Sequence, residues 1–157
     1  MATANCTARR EREDRTIARA LRILEKRNSY NAPTLDSPYG VRKFLHLRLH
    51  SLEREEFWCI WLDSQHRLVE LEQMFISTLS EARVYPREVV KSALRHNAAA
   101  VIFAHNHPSG HDDPSNADLS LTKTLKDALS LVDVKVLDHF IIGSNPAALS
   151  LAERGLI

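Results

Sequence analysis

Ala98-Ala-Ala-Val-Ile-Phe-Ala104 runs without a break into His105-Asn-His-Pro-Ser-Gly-His-Asp-Asp-Pro-Ser-Asn-Ala-Asp118. The first seven residues are a short apolar run that follows Asn97, the pattern of a central strand buried on both faces. The two prolines and the glycine that come next mark a loop. Ser115 then opens a helix. It is a good N-cap, Asp118 stands three residues on in the capping-box relation, and Leu119, Thr122, Leu125, Leu129 and Val132 follow at helical spacing. A strand, a loop and a helix in this order are parts of a sheet covered by helices.

The same stretch carries chemistry. Residues two apart on an extended segment point to one side, so His105 and His107 can converge at the end of their strand. Asp118, from the first turn of the helix, is folded back toward them by the loop. Three such ligands leave one coordination position open, and a catalytic metal needs that opening for water or substrate. Two nitrogens and one oxygen suit Zn2+ better than Mg2+ or Ca2+, so one zinc per chain is expected. No cysteine lies nearby to close the site as a structural one. Asp118 is also explained as the partner in a capping box, and the two roles are compatible. His111 reads as a solvated loop residue, and His46, His50, His66 and His96 have no partners visible in sequence.

Working outward, Phe57-Trp-Cys-Ile-Trp-Leu62 reads as a strand buried on both faces, Asp63 to His66 as a turn, and Arg67 to Phe75 as the second strand of a hairpin. Pro86 suits a helix's first turn, with Arg87 to His96 following and Asn97 as its stop. Val41 to Leu52 has helical spacing. Val134 to Leu137 and Phe140 to Ile142 read as two short strand pieces. The fold class is therefore α/β (α+β), a mixed sheet covered by helices.

Residues 1–40 read as an N-terminal helical arm and linker, and 41–157 as the core domain. Residues 1–30 carry eight Arg/Lys against four Asp/Glu, while the remainder carries thirteen against sixteen. Ile17, Ala20, Leu21 and Leu24 give the arm a narrow apolar stripe, and Glu11 and Arg15 are spaced to support a helix. Such an arm is either a solvated helix laced with ion pairs or a basic surface that touches nucleic acid. The chain's net charge of +1 favours no strongly charged partner. Cys6 and Cys59 form no disulfide framework, which fits a reducing compartment. With neither a signal peptide nor a membrane span in the sequence, a cytoplasmic protein without membrane contact is expected.

A hydrolytic metal site also needs a base. Glu55 and Glu56, just ahead of Phe57, are the candidates. A glutamate, a long gap, His-x-His-Pro and Ser-x-x-Asp together resemble the JAB/MPN (JAMM) metalloenzymes, and the bacterial RadC branch most of all. The resemblance runs from Val41 to Ile157. It includes Leu62-Asp-Ser-Gln-His-Arg-Leu68, Val84-Tyr-Pro-Arg-Glu-Val89, Asn97-Ala-Ala-Ala-Val-Ile102, His105-Asn-His-Pro-Ser-Gly110 and Val136-Leu-Asp-His-Phe140.

The resemblance implies a three-layer fold like that of the cytidine deaminases, and zinc on His105, His107 and Asp118. It implies Ser115 as a stabiliser of the oxyanion and Glu55 as the general acid/base, with Glu56 one residue out of register and facing the other way. The chain departs from the family in three places. Residues 1–40 are too short for the usual helix-hairpin-helix region, so the chain reads as a short form. Ser77 replaces a common glycine, and His111-Asp-Asp113 replaces the usual loop sequence.

The function expected is that of a zinc-dependent metallohydrolase acting on peptide or isopeptide bonds through a water activated on the metal. The substrate would be a peptide or protein. The alternative is a non-catalytic RadC-like interaction or DNA-repair-associated protein. A nucleobase deaminase is excluded, because no His-x-Glu and no Pro-Cys-x-x-Cys is present.

Overall fold

Phe57, Cys59 and Trp61 alternate with Trp58, Ile60 and Leu62, and the alternation sorts them onto two faces of a strand, β1 (Glu56–Leu62). The computed structural model describes residues 10, 12–23, 38–49, 51–76, 84–144 and 148–157. A turn at Asp63 to Arg67 joins β1 to β2 (Leu68–Ile76), and the two strands pair antiparallel as a hairpin. The Asp63 carboxylate accepts from the Gln65 and Arg67 amides at 2.8 and 2.9 Å, and His66 takes the left-handed φ of 57° that closes the turn.

Ahead of the hairpin lies α1 (Pro38–Leu49), and after it come α2 (Pro86–Arg95) and β3 (Ala100–Asn106). They are followed by α3 (Asn116–Ser130), β4 (Lys135–Ile142) and the two-residue β5 (Leu149–Ser150). The sheet order is β2-β1-β3-β4-β5. β3 and β4 are parallel, joined through α3, and the other pairs are antiparallel. The sheet is thus mixed, with helices on both faces. Val41, Leu45 and Leu49 of α1 pack on Ile60, Leu62, Ile102 and Phe140. Val89 and Ala93 of α2 and Leu125 and Leu129 of α3 pack on Cys59, Trp61, Val101 and Phe103 across the other face. β3 is buried along its whole length, as a central strand covered on both sides must be.

Several boundaries differ from expectation, each for a local reason. α1 begins at Pro38, because proline is accommodated at a helix start, and it ends at Leu49, where a turn returns the Leu52 amide to the Leu49 carbonyl. β3 extends through His105 and Asn106 into the site. The two strand pieces expected around Asp138-His139 are one strand. Both polar residues are buried within it, and the Asp138 carboxylate is satisfied by the Ser150 hydroxyl at 2.6 Å and the Ala152 amide at 3.0 Å. Those bonds also hold β5, which is too short to leave a sequence pattern.

On the opposite side of the sheet's span, Glu72 of β2 accepts from Trp61 Nε1 at 2.9 Å, from the Ser92 hydroxyl and from Arg95, and its carboxylate lies 3.2 Å from His96 Nε2. This network ties the edge strand to α2. Burial opposes the charge on Glu72, but these donors outweigh it and hold its pKa below the usual carboxylate range.

The chain divides into two compact units, residues 1–33 and 34–157. In the first, residues 12–23 are helical, with Ile17, Ala20 and Leu21 half-buried. Cys6, Glu11, Leu24, His50, Ser77 and residues 29–37 of the linker lie outside the described residues. Among the described residues no helix is long and apolar enough to cross a membrane.

Candidate metal centre

His105 is the penultimate residue of β3 and shares a face with Phe103, where α3 covers the sheet. Its ring stacks on Phe57, with centroids 6.4 Å apart and planes at 16°. His107 lies one residue past the strand. Its amide bonds the Ile142 carbonyl at the end of β4 at 2.9 Å, which prolongs the strand geometry and keeps both imidazoles on one side. The two Nε2 atoms are 2.9 Å apart.

Asp118 comes from the first turn of α3, and the N-cap is built as the sequence suggests. The Ser115 hydroxyl accepts from the Asp118 amide at 3.1 Å, and the Asp118 carboxylate accepts from the Ser115 amide at 2.7 Å. One carboxylate oxygen lies 3.3 Å from His105 Nε2 and the other 3.6 Å from His107 Nε2. The capping box therefore holds the carboxylate at the histidines, so cap and candidate ligand are one arrangement.

Each histidine is oriented by its other nitrogen. His107 Nδ1 lies 2.8 Å from the His111 carbonyl, which can only accept, so Nδ1 carries a proton and Nε2 is the atom that could coordinate a metal. His105 Nδ1 lies 2.8 Å from Nε2 of His139.

His105, His107 and Asp118 are brought together, with one donor atom each and all three within 4.8 Å of one another. Four ligands about 2.0 Å from a tetrahedral zinc are spaced by roughly 3.3 Å. The two Nε2 atoms, at 2.9 Å, and the carboxylate oxygen nearest each, at 3.3 and 3.6 Å, lie close to that spacing. A carboxylate and two imidazole nitrogens gathered in this way are a donor set that could hold a metal ion.

The electrostatics agree. Burial works against the Asp118 carboxylate, but hydrogen bonding to the two imidazoles and to Ser115 outweighs it and puts its pKa far below the usual range. The His107 pKa is raised, first by its hydrogen bond to Asp118, then by the His111 carbonyl and the charges of Asp118 and Glu55, against the effect of burial.

Glu55 and Glu56 have different surroundings. Glu56 is the first residue of β1, and its carboxylate accepts from Trp58 Nε1 at 3.0 Å and from the Gln73 side chain, on the hairpin. Glu55 precedes the strand, is half-buried, and is near enough for its charge to act on His107. The Ser115 hydroxyl donates to Asp118 at 2.7 Å. His111 is exposed, as expected, but its backbone carbonyl is the anchor of His107.

Four contributors escape sequence reasoning. Asn106, between the two histidines, faces the other way and is buried. Its amide accepts from the Glu56 N–H at 2.8 Å and donates to the Arg54 and Leu52 carbonyls at 2.9 and 3.4 Å. Gly143 lies against the loop: a Cβ there would stand 2.8 Å from the His111 carbonyl oxygen and would meet the Asp112 side chain. His139 and Thr122 stand behind His105. Of these, only His139 leaves a sequence signal, as an imidazole inside the run Val136 to Ile142.

A family profile described as the RadC-like JAB domain matches residues 35–156. A UPF0758 protein of Dechloromonas aromatica is 59% identical over 121 residues, covering 77% of this chain and 54% of the relative. One from Nitrosomonas eutropha is 60% identical over 123 residues, covering 78% and 54%. The chain thus spans about half the length of the curated relatives it matches. With a profile matched along most of its length and relatives this similar, the chain belongs to the family of RadC-like JAB domain proteins.

Proposed function

We propose that this domain is a zinc-dependent hydrolase of the JAMM type that cleaves amide bonds of a peptide or isopeptide substrate in the cytoplasm. The observation that carries the reading is the convergence of two Nε2 atoms and a carboxylate at 2.9–3.6 Å. His105, His107 and Asp118 would hold one zinc ion and leave a position open. When bound, zinc supplies Lewis acidity, which lowers the pKa of a water to about 7 and polarises a scissile carbonyl.

The chain's own residues do the rest. Glu55 takes the proton of the attacking water and delivers it to the leaving amine. Ser115 donates to the developing oxyanion. Its proton lies toward Asp118 in the structure, and rotation about the Cβ–Oγ bond redirects it without moving the oxygen. Such a donor is worth about 3–4 kcal/mol in other hydrolases. Glu56, engaged with Trp58 and Gln73, is a structural residue. A buried free thiol at Cys59 suits the cytoplasm.

The test pairs wild type with Glu55→Gln on a diverse peptide and isopeptide library, with metal analysis of both. Both should carry about one zinc per chain, and only wild type should hydrolyse. Glu56→Gln should keep its activity. Equal behaviour of wild type and Glu55→Gln would favour a non-catalytic interaction protein instead.

A further inference from the structure

Behind His105 lies a chain of three hydrogen bonds in which the place of every proton is dictated. Thr122 Oγ1 is 2.6 Å from the Asp118 carbonyl oxygen. It is also 2.6 Å from His139 Nδ1, whose Nε2 is 2.8 Å from His105 Nδ1. Thr122, His139 and His105 are all buried.

A carbonyl oxygen only accepts, so the single hydroxyl proton of Thr122 lies toward Asp118. Were it turned toward His139, two oxygens would face each other at 2.6 Å with no proton between them. Thr122 Oγ1 must then accept from His139, which places a proton on His139 Nδ1. Among the described residues no carboxylate bonds the His139 ring, and a charge fully buried there would be costly, so the ring is neutral and its Nε2 is bare. That bare nitrogen accepts from His105, which places a proton on His105 Nδ1. The remaining nitrogen of His105, the Nε2 that faces Asp118 and His107, is the one left to a metal.

We infer that Thr122 and His139 are positioning residues that lock His105 in the Nδ1–H tautomer and so present Nε2 as a preformed metal ligand. The lock rests on the metal-centre reading for its purpose, but not for its existence. It is also a closed circuit. It starts at the backbone of Asp118 on α3 and ends at the nitrogen that meets the Asp118 carboxylate. Strand β4 supplies the link between ligands on β3 and α3. Ordering of this kind, behind a ligating histidine, commonly changes metal affinity by about 10–100-fold.

Two readouts test it. In chelator-treated wild type labelled with 15N-histidine, His105 and His139 should each show a protonated, pyrrole-type Nδ1. A bare, pyridine-type Nδ1 on His105 would overturn the inference whether or not the protein binds zinc. In competition titrations with zinc, Thr122→Val, which keeps the shape and loses the hydroxyl, should bind about 10–100-fold more weakly. Thr122→Ser should restore wild-type affinity, and His139→Phe, which keeps a ring but no nitrogen, should behave like Thr122→Val. Wild-type affinity in Thr122→Val would equally overturn the inference. Should wild type show the expected tautomers but bind no zinc, the lock stands and the hydrolase reading falls.

Discussion

Asn106 uses its whole side chain to grip the segment that carries Glu55. Its three bonds reach Leu52, Arg54 and Glu56, and so bracket Glu55 on both sides. An amide is the one uncharged side chain that offers an acceptor and two donors at this reach. Replacement by leucine would leave the Arg54 carbonyl and Glu56 amide without their buried partner, at a cost of about 1–3 kcal/mol. Asn106→Leu should therefore lower stability to urea by that amount and lower hydrolysis while zinc content stays near one per chain. A fall in zinc content to match the activity would instead place the role of Asn106 at the metal.

The candidate ligands were legible in sequence because their spacing maps directly onto a strand end and a helix start. Asn106 was not, because period two puts it on the opposite face from the histidines and its partners lie some fifty residues away. The preference for Glu55 over Glu56 came from the family's register, and its structural counterpart is the engagement of Glu56 by Trp58 and Gln73.

At the scale of elements, the loop from β3 to α3 is shaped by its contact with the end of β4. Gly110 takes φ 79°, and its carbonyl accepts from the Ser144 amide at 3.0 Å. Gly143 admits the His111 carbonyl that orients His107. Gly143→Ala puts a methyl group against backbone, which cannot turn aside as a flexible side chain can. The expected result is a zinc affinity reduced by about 10–100-fold with the core fold retained by circular dichroism. Unchanged affinity would mean that His107 keeps its tautomer without the His111 carbonyl. Such a contact is invisible in sequence, since a glycine after a strand ordinarily signals a turn. β4 shows the same limit in reverse. Asp138 and His139 look like an interruption of an apolar strand, and only their partners Ser150, Ala152, Thr122 and His105 reveal why a strand buries them. The hairpin and α3, by contrast, follow from local signals alone.

For the molecule as a whole, two histidines of opposite tendency, His139 buried and His107 half-buried, set the pH dependence of stability. Burial drives His139 well below the ordinary histidine value of 6.5. As pH falls through 6.5 the unfolded chain gains a proton there and the native chain does not, so stability declines toward acid. His107 has a raised pKa, chiefly through Asp118. Its contribution is fully present below 6.5 and is lost as pH rises through the raised value, because the native chain must then give up a proton the unfolded chain has already lost. The lowered pKa of Asp118 adds a further loss once pH falls toward and below the ordinary value of 3.8. Chelator-stripped protein should accordingly be most resistant to urea near pH 6.5, with stability falling on both sides. Zinc replaces the His107 proton, so the loaded protein should lack the alkaline decline. A steady rise in the stability of the stripped protein through about pH 8 would contradict the His107–Asp118 pairing.

Cys59, at the centre of the sheet, gives the folded domain a built-in clock. Its thiol is fully buried, and burial, with the charge of Glu72 adding, pushes its pKa well above the ordinary thiol value. An alkylating reagent reacts with the thiolate, so the native domain should be inert, and labelling should count only openings that expose the sheet's interior. In a Cys6→Ser background the labelling rate should fall on addition of zinc in proportion to 1 + [Zn]/Kd. A rate indifferent to zinc would mean that Cys59 is reached by a local opening that leaves the ligands in place.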